Sequence, residues 1–276
     1  MITINIGQIQ KIEMEMLREA CEILGKNDIP FFMGFGSVLG AIRHQGPIPW
    51  DTDTDILIPF PLLEKAKKCL EEGLTSRFCV DDLDRNGKYK NFFPRVAMPH
   101  TSSDTLHIDL FPLIGVSEDL TEQKKMFAEF EKRNRVFVRL KHFRSNIVHP
   151  TFLKKAVGRF IELFCSPYSK KALCKQYHKI LSKWDYNTAT HVASGCGEYG
   201  EKNIFEKTVF GTPIMVPYGD LSVPIPEQWD FYLRRFYKDY MQFPPEEVRN
   251  FWLNFKLSID DRDYAAIEDI LADEQK

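Results

Sequence analysis

Apolar residues recur at helical spacing near the start of the chain and then fall into short runs separated by helical patterns. Between Ile9 and Leu24 they line one face of a predicted amphipathic helix. Through about residue 115, predicted strands and helices alternate, which indicates an α+β (mixed α/β) fold with a mixed sheet flanked by helices. The stripe of the first helix consists of Ile9, Ile12, Met16, Ala20 and Leu24.

The rest of the chain has a different pattern. Residues 121–183 have mainly helical spacing, which predicts a helical insertion or lobe. The proline-bounded stretch 210–226 predicts irregular backbone with short strands, and helical spacing returns over 228–240. The last predicted helix presents Trp229, Tyr232, Leu233 and Phe236.

A turn of small residues comes shortly before three aspartates at alternating positions. Gly36 and Ser37 follow a short apolar stretch, and a helix is predicted directly after them, over residues 38–43. The unpaired N–H groups at a helix start, together with the helix dipole, favour an anion such as a phosphate. The aspartates are Asp51, Asp53 and Asp55, in the segment WDTDTDILI.

The second half of this acidic segment is rich in strand-forming residues. On a strand, Asp53 and Asp55 project from the same face, so their carboxylates repel each other unless a cation lies between them. Hard oxygen ligands favour Mg²⁺ or Mn²⁺. The segment therefore predicts a divalent metal site.

The spacing of the three aspartates also opens a calcium-binding EF-hand loop, but such a loop needs glycine at its sixth position and glutamate at its twelfth. Ile56 and Leu62 occupy those positions, so the EF-hand is excluded. A solvated acidic turn without a ligand remains open, and so does a sugar-nucleotide glycosyltransferase, which also holds a metal with an Asp-x-Asp pair.

A second acidic strand is predicted over residues 105–113. His107 and Asp109 share one face, and the apolar residues Leu106, Ile108 and Leu110 share the other. Asp109 is a candidate third metal ligand or catalytic carboxylate, and the alternative for it is an exposed acid on an edge strand.

Three segments of the chain resemble the LicD family of phosphotransferases, which includes the fukutin-related proteins. In the family's order, within about residues 10–250, they are GSVLGAIRHQGPIPWDTDTDILI, HIDLFPLIG and FGTPIMVPYGDLSVPIPEQWDFYLRRFYKDYMQFPPEE. The resemblance implies a nucleotidyltransferase-like fold and transfer of a phospho-alcohol, such as phosphocholine, from CDP-choline or a related CDP-linked donor. The implied acceptor is a hydroxyl of a cell-surface glycan or its lipid-linked precursor, and CMP is released.

The resemblance also implies roles for individual residues. Gly36 and Ser37 match a phosphate-binding turn, and the pair Arg43 and His44 matches an Arg-His pair of the family, with Arg43 neutralising phosphate. Metal ligation falls to Asp53, Asp55 and Asp109, and the acceptor's proton goes to Asp51 or Asp109. Thr54 stands where the family's usual run, W-D-D-D-I-D, has an aliphatic residue, which indicates a more polar neighbourhood.

Four further residues are secondary substrate-binding candidates. Lys90 and Arg95 either contact phosphate or are solvated strand ends, and His107 either touches substrate or pairs with a carboxylate. Trp50 either stacks on a base or a choline-like cation, or braces its proline-flanked loop.

Composition agrees with one domain over residues 1–276, divided into a core (1–120), a helical basic region (121–200) and a C-terminal segment that completes the site (201–276). The formal net charge is −2, but residues 139–183 contain eleven Lys or Arg and only one acid, Glu162. Apolar positions at helical spacing over 152–164 fit a helix on an anionic membrane, and equally a helix packed on the core. We expect an anionic partner for the basic region 151–183, and no nucleic acid.

The lack of recognisable targeting signals favours the cytoplasm. Neither a signal-peptide pattern nor an apolar run near ~20 residues is present. The six cysteines lack the spacing of a zinc site, which favours reduced thiols. We therefore expect a cytoplasmic enzyme, with the inner face of the plasma membrane as a candidate location.

Overall fold

The computed structural model describes residues 1–82, 92–102, 106–145, 167–195 and 199–272. The described strands, in chain order, are β1 (Ile2–Asn5), β2 (Phe32–Met33), β3 (Thr54–Pro59), β4 (Cys79–Asp81), β5 (Arg95–Ala97), β6 (His107–Val116), β7 (His191–Ser194), β8 (Ile204–Glu206), β9 (Ile214–Tyr218), β10 (Leu221–Ile225) and β11 (Lys256–Ile259). The described α-helices are α1 (Ile6–Lys26), α2 (Phe35–His44), α3 (Phe60–Gly73), α4 (Leu120–Ser145), α5 (Pro167–Leu181), α6 (Trp229–Tyr237), α7 (Glu246–Leu253), α8 (Asp261–Ala266) and α9 (Glu268–Leu271).

A mixed sheet organises these elements and confirms the predicted α+β fold. Its main path has the order β2-β3-β6-β5-β4. Only the β3–β6 pair in this path is parallel, and β6 is long enough to pair with β5 along its first half and with β7 along its second. The strand β6 is therefore the centre of the sheet, and its start lies between β3 and β5.

The first helix covers the sheet as its apolar stripe predicts. Every residue of that stripe is buried in the main hydrophobic core. Asn5 caps the helix in a capping box with Gln8, in which each side chain accepts the other residue's backbone N–H. Capping satisfies N–H groups that the first turn leaves unpaired, so α1 begins sharply at Ile6.

The C-terminal part of the chain packs against earlier parts of the chain. The strand β11 pairs with β1, and the carboxylate of Asp263 accepts hydrogen bonds from the backbone N–H groups of His100 and Thr101. Asp263 is 1% exposed, so these bonds lie in the protein interior. A hairpin of β9 and β10, followed by α6, confirms the predicted short strands and late helix.

The predicted helical region is confirmed over the part that the structure describes, as α4 and α5. The predicted amphipathic helix at 152–164 lies outside the described residues, so its placement on a membrane or on the core stays a prediction. Within the described residues, no helix combines the length and the low polarity that crossing a bilayer requires.

The tight contact between α2 and the loop before β3 provides a test of the packing. A Cβ added to Gly40 would lie 2.6 Å from the carbonyl oxygen of Gly46, whereas one added to Gly25 would meet no atom within 4 Å. We predict that Gly40→Ala lowers the free energy of unfolding by about 1–3 kcal/mol because the loop has to move. Gly25→Ala is the matched control and should raise it by about 0.5–1 kcal/mol.

Urea unfolding followed by circular dichroism measures both changes. Equal stability of the Gly40→Ala protein and the wild type would show that the loop around Gly46 yields without cost, contrary to this packing.

Candidate active site

The three aspartates of the acidic segment and Asp109 lie at one edge of the sheet. In the parallel pair of β3 and β6, Asp55 is the register partner of Asp109. Neighbouring strands are about 4.8 Å apart, so two aspartates in register are close. Asp51 and Asp53 lie in the loop that leads into β3. We call these four residues the acidic edge.

The position of Asp53 corrects the prediction that it shares a strand with Asp55. β3 begins at Thr54, because pairing with β6 starts at Ile108, opposite Thr54. Asp53 is exposed in the loop, whereas Asp55 is 9% exposed. Asp55 is therefore held in the sheet, whereas the position of Asp53 depends on the conformation of the loop.

The start of α2 packs against the acidic edge. The N–H of Gly34 donates to the carbonyl oxygen of Asp55 at 2.8 Å, and the N–H of Asp55 donates to the Ser37 hydroxyl oxygen at 2.9 Å. A Cβ on Gly36 would lie 3.1 Å from a carboxylate oxygen of Asp51. The small-residue turn thus brings the positive end of the helix dipole to the acidic edge.

Ser37 was predicted to bind a donor phosphate through its hydroxyl. In the structure this side chain is 3% exposed, and its oxygen accepts the bond from Asp55. The observed contact of Ser37 therefore joins α2 to β3.

A glutamine on α1 holds the acidic loop from the other side. The amide nitrogen of the Gln10 side chain donates to the carbonyl oxygens of Ile48 and Asp51, both at 2.8 Å. These bonds fix the loop backbone up to and including the first aspartate. Sequence reasoning missed this residue, because a glutamine beside an apolar stripe is ordinary on a helix surface.

Like charges at the acidic edge change the pKa values of its residues. Burial, followed by the charge of Asp53 and a hydrogen bond with it, raises the pKa of Asp51 to about 8, although the Thr52 N–H opposes the shift. An aspartate with this pKa is mostly protonated at neutral pH in the absence of a cation. The raised pKa shows how strongly the two carboxylates compete for positive charge.

Asp109 is neutralised differently. The Arg95 guanidinium donates two hydrogen bonds to its carboxylate, from Nε to Oδ1 and from Nη2 to Oδ2, and His107 Nε2 lies 3.4 Å from Oδ1. Burial tends to raise the pKa of Asp109, but His107 and Arg95 outweigh it and the pKa is lowered. The partner of Asp109 is explained by register, since Arg95 on β5 is opposite Asp109 on β6.

The Arg-His pair of the sequence lies in a second cluster, beside the acidic loop. Arg43 Nη1 donates to the carbonyl oxygens of Tyr240, at 2.7 Å, and Gln242, at 3.3 Å. Burial lowers the pKa of Arg43, and burial followed by the charge of Arg43 lowers the pKa of His44. These bonds tie the end of α2 to the chain after α6.

Trp50 packs into the same cluster. Its ring lies edge-to-face with His44 at 5.5 Å and with Phe243 at 5.7 Å between centroids. The guanidinium groups of Arg43 and Arg249 lie 5.7 and 5.5 Å from the Trp50 ring centre. Of the two roles considered for Trp50, these contacts favour bracing the loop.

Lys90 lies outside the described residues, so its role as a phosphate contact stays a prediction. Two residues that sequence reasoning did not select lie near the acidic edge. The pKa of Tyr237 is raised by burial first and then by Tyr199, Tyr232 and Asp55, and that of Glu13 is raised by burial and by the charges of the acidic edge.

Glu13 had a detectable signal in the sequence. It lies four residues after Ile9 and three before Met16, so it occupies the apolar stripe of α1. A glutamate at such a position is buried, whereas charged residues are normally found on the solvent-exposed face of a helix.

The acidic edge fits a hard divalent cation in its chemistry. Within the described residues, no three Asp, Glu, His or Cys side chains form a ready ligand cluster. Mg²⁺ does not require one, because it keeps several waters and is held by one or two carboxylates together with substrate phosphates. A buried carboxylate oxygen, Glu13 Oε1, has no hydrogen-bond partner, which is a further sign of unmet demand for positive charge.

Comparison with known proteins shows which sequences this chain resembles. Residues 28–155 match the family model described as LicD/FKTN/FKRP, nucleotidyltransferase domain. The matched segment contains the acidic edge, α2 and the strands that position them.

Individual relatives extend the similarity beyond that segment. The chain is 21% identical to the lipopolysaccharide cholinephosphotransferase LicD of Haemophilus influenzae over 232 residues, which cover 79% of this chain and 84% of the relative. Uncharacterised proteins of Rickettsia prowazekii and Rickettsia typhi are each 45% identical, over 64 and 42 residues. Those two matches cover 20% and 15% of this chain, and 24% and 14% of the relatives.

The resemblance predicted from three sequence motifs is therefore confirmed: residues 28–155 match the LicD family model, and similarity to a LicD cholinephosphotransferase extends over 79% of the chain.

Proposed function

We propose that this protein is a phosphotransferase that moves a phospho-alcohol head group, with phosphocholine favoured, from a CDP-linked donor to a hydroxyl of a cell-surface glycan or its lipid-linked precursor. CMP is the leaving group, and Mg²⁺ or Mn²⁺ is the cofactor. The observation that carries the proposal is the acidic edge, with Asp55 and Asp109 in register beside the start of α2. The similarity to a lipopolysaccharide cholinephosphotransferase over most of both chains supports the choice of head group.

Charge is the reason that a cation belongs in the proposal. A CDP-linked donor brings a negatively charged pyrophosphate to a site whose own carboxylates already raise the pKa of Asp51. Without positive charge, donor and site repel each other. A bound Mg²⁺ neutralises the phosphate oxygens and the charge that develops on the leaving group.

The described contacts divide the proposed roles among the carboxylates. Asp53 and Asp55 hold the cation, one from the loop and one from β3. Asp109 is already paired with Arg95, so we assign the pair a role in fixing β5 and β6 beneath the cation. Asp51 is better suited than Asp109 to accept the acceptor's proton, because Asp109 is held by Arg95 and its pKa is lowered. A bound cation would favour the deprotonated form of Asp51, whose raised pKa makes it the stronger base of the two.

Related reactions use the same arrangement. Transfer of phosphoethanolamine, an aminoethylphosphonate or a polyol phosphate would need only a different pocket for the head group. A sugar-nucleotide glycosyltransferase needs the same Asp pair but forms a glycosidic bond, and a catalytically silent protein binds nucleotide without turnover. Each alternative predicts a different donor or none.

Nucleotide release tests the reaction class. In Mn²⁺ or Mg²⁺, we predict CMP release from one member of a panel of CDP-choline, CDP-ethanolamine, CDP-ribitol, CDP-glycerol and CMP-aminoethylphosphonate. Asp53→Ala and Asp55→Ala should each lower the rate by on the order of 100-fold or more, because each removes a ligand to the cation that stabilises developing charge. Glu72→Gln, at an exposed acid on α3, is the control and should keep full activity.

The panel includes UDP-sugars to expose the competing class. Turnover of a UDP-sugar alone would replace the phosphotransferase by a glycosyltransferase. Nucleotide binding with no turnover, given an acceptor glycan, would support a silent binding protein.

The raised pKa of Asp51 predicts a pH dependence of stability. Asp51 keeps its proton in the folded protein up to about pH 8, whereas an aspartate of an unfolded chain loses it near pH ~4. Because the folded state binds the extra proton across this interval, stability falls as pH rises through it. We therefore predict that the melting temperature in EDTA falls between about pH 6 and pH 8.

Asp51→Asn removes the titrating group and should flatten this fall, and saturating Mn²⁺ should flatten it in the wild type. Differential scanning fluorimetry at matched ionic strength measures all three profiles. An equally steep fall in Asp51→Asn and wild type would mean that other groups control the pH dependence.

A further inference from the structure

The carboxyl group of Glu13 is buried on the apolar face of α1. Glu13 is 2% exposed, and one of its oxygens, Oε1, has no hydrogen-bond partner. Its pKa is raised well above the ordinary value, by burial first and then by the charges of Asp53, Asp51 and Asp109. Gln10, one turn earlier on α1, donates to the carbonyl oxygen of Asp51, so this part of the helix packs against the acidic loop and Glu13 lies behind the acidic edge.

Thr54 connects Glu13 to that edge. The Thr54 side chain is 2% exposed and hydrogen bonds with the carboxyl group of Glu13 and with the hydroxyl of Tyr218. Tyr218 is also buried, and its neighbours include Glu13, Asp51 and Asp55, whose charges help to raise its pKa. Glu13, Thr54 and Tyr218 form a buried polar cluster beneath the first residue of β3.

This cluster explains the departure of Thr54 from the usual aliphatic residue. An aliphatic side chain at position 54 would leave the Glu13 carboxyl without the hydroxyl partner that it has here. Conversely, packing and β3 formation alone need no carboxyl group at position 13, because a leucine would satisfy the stripe at lower cost. The buried carboxyl group therefore points to a role at the acidic edge.

We propose that Glu13 is a positioning residue of the cation site, acting behind Asp53 and Asp55. This inference rests on the divalent cation of the proposed function. One oxygen of the carboxyl group is held by Thr54. With a cation bound, which would offset the repulsion from the acidic edge, the oxygen without a partner would supply negative charge and a hydrogen-bond acceptor to the waters around the cation. Outer-shell carboxylates of this kind orient the direct ligands and raise the affinity of the site.

Cation binding distinguishes this role from a structural one. Mn²⁺ affinity is measured by electron paramagnetic resonance on the wild type, Glu13→Gln and the control Glu22→Gln, which alters an exposed glutamate on the same helix. We expect Glu13→Gln to weaken Mn²⁺ binding about tenfold, in the range found for outer-shell partners, and Glu22→Gln to leave it unchanged. The melting temperature of Glu13→Gln in EDTA should equal or exceed that of the wild type, because a buried acid that repels its neighbours is removed.

Thr54→Val provides a second test that keeps the charge of Glu13. It removes the hydroxyl that holds the carboxyl group, and we expect Mn²⁺ binding to weaken by more than twofold but by less than in Glu13→Gln. This variant keeps the inference testable if Glu13→Gln does not fold.

The outcomes separate the inference from the proposed function. Weakening of less than threefold in Glu13→Gln, with normal Mn²⁺ binding by the wild type, would overturn the role of Glu13 and leave the phosphotransferase proposal intact. If the wild type itself binds no Mn²⁺ and releases no CMP, the cation site of the proposed function fails, and the role of Glu13 fails with it.

Discussion

Parallel pairing of β3 with β6 brings Asp55 alongside Asp109, and the neighbouring elements are arranged to tolerate that contact. Two carboxylates in register on adjacent strands would destabilise the sheet if both were charged and unpaired. The chain meets this constraint with Arg95, which lies on the next strand in register with Asp109 and binds its carboxylate twice. The start of α2 contributes its dipole beside Asp51 and Asp55.

The close approach of these carboxylates leaves two buried acids with raised pKa values. Asp51 responds with a pKa of about 8, and Glu13, buried behind it, with a raised pKa and an oxygen that lacks a partner. A site with this much residual negative charge attracts a cation and, through it, a phosphate. The fold therefore gives up stability to keep the carboxylates together, as functional sites commonly do.

Much of the fold was predictable because it depends on local patterns. The stripe of α1, the strand that carries Asp109 and the helix near Gly36 and Ser37 are each encoded within a few residues, and all three are present. Two details differ: α2 already begins at Phe35, and β6 is buried on both faces. The start of β3 was not predictable from the segment alone, because it is set by where pairing with β6 starts, at Ile108 opposite Thr54, which leaves Asp53 in the loop. Local periodicity indicates that a segment forms a strand, but pairing with the neighbouring strands determines at which residues the strand begins and ends.

The contacts within the site join residues that are far apart in the sequence, so they could not be predicted from local sequence patterns. Arg95 reaches Asp109 from the neighbouring strand, and Gln10 reaches the acidic loop at a residue 41 positions away. The Ser37 hydroxyl and Arg43, both matched to phosphate contacts in sequence, bind backbone groups of β3 and of the chain after α6. Glu13 alone among the missed residues had a local signal, a carboxyl group on an apolar stripe.

A crystal structure with Mn²⁺ and CMP, with anomalous data collected at the manganese edge, tests the central claim most directly. The account predicts an anomalous peak within coordination distance of carboxylate oxygens of Asp53 and Asp55, next to the CMP phosphate. Arg95 should remain paired with Asp109. A CMP phosphate bound away from the acidic edge, or no manganese peak there with CMP present, would contradict it.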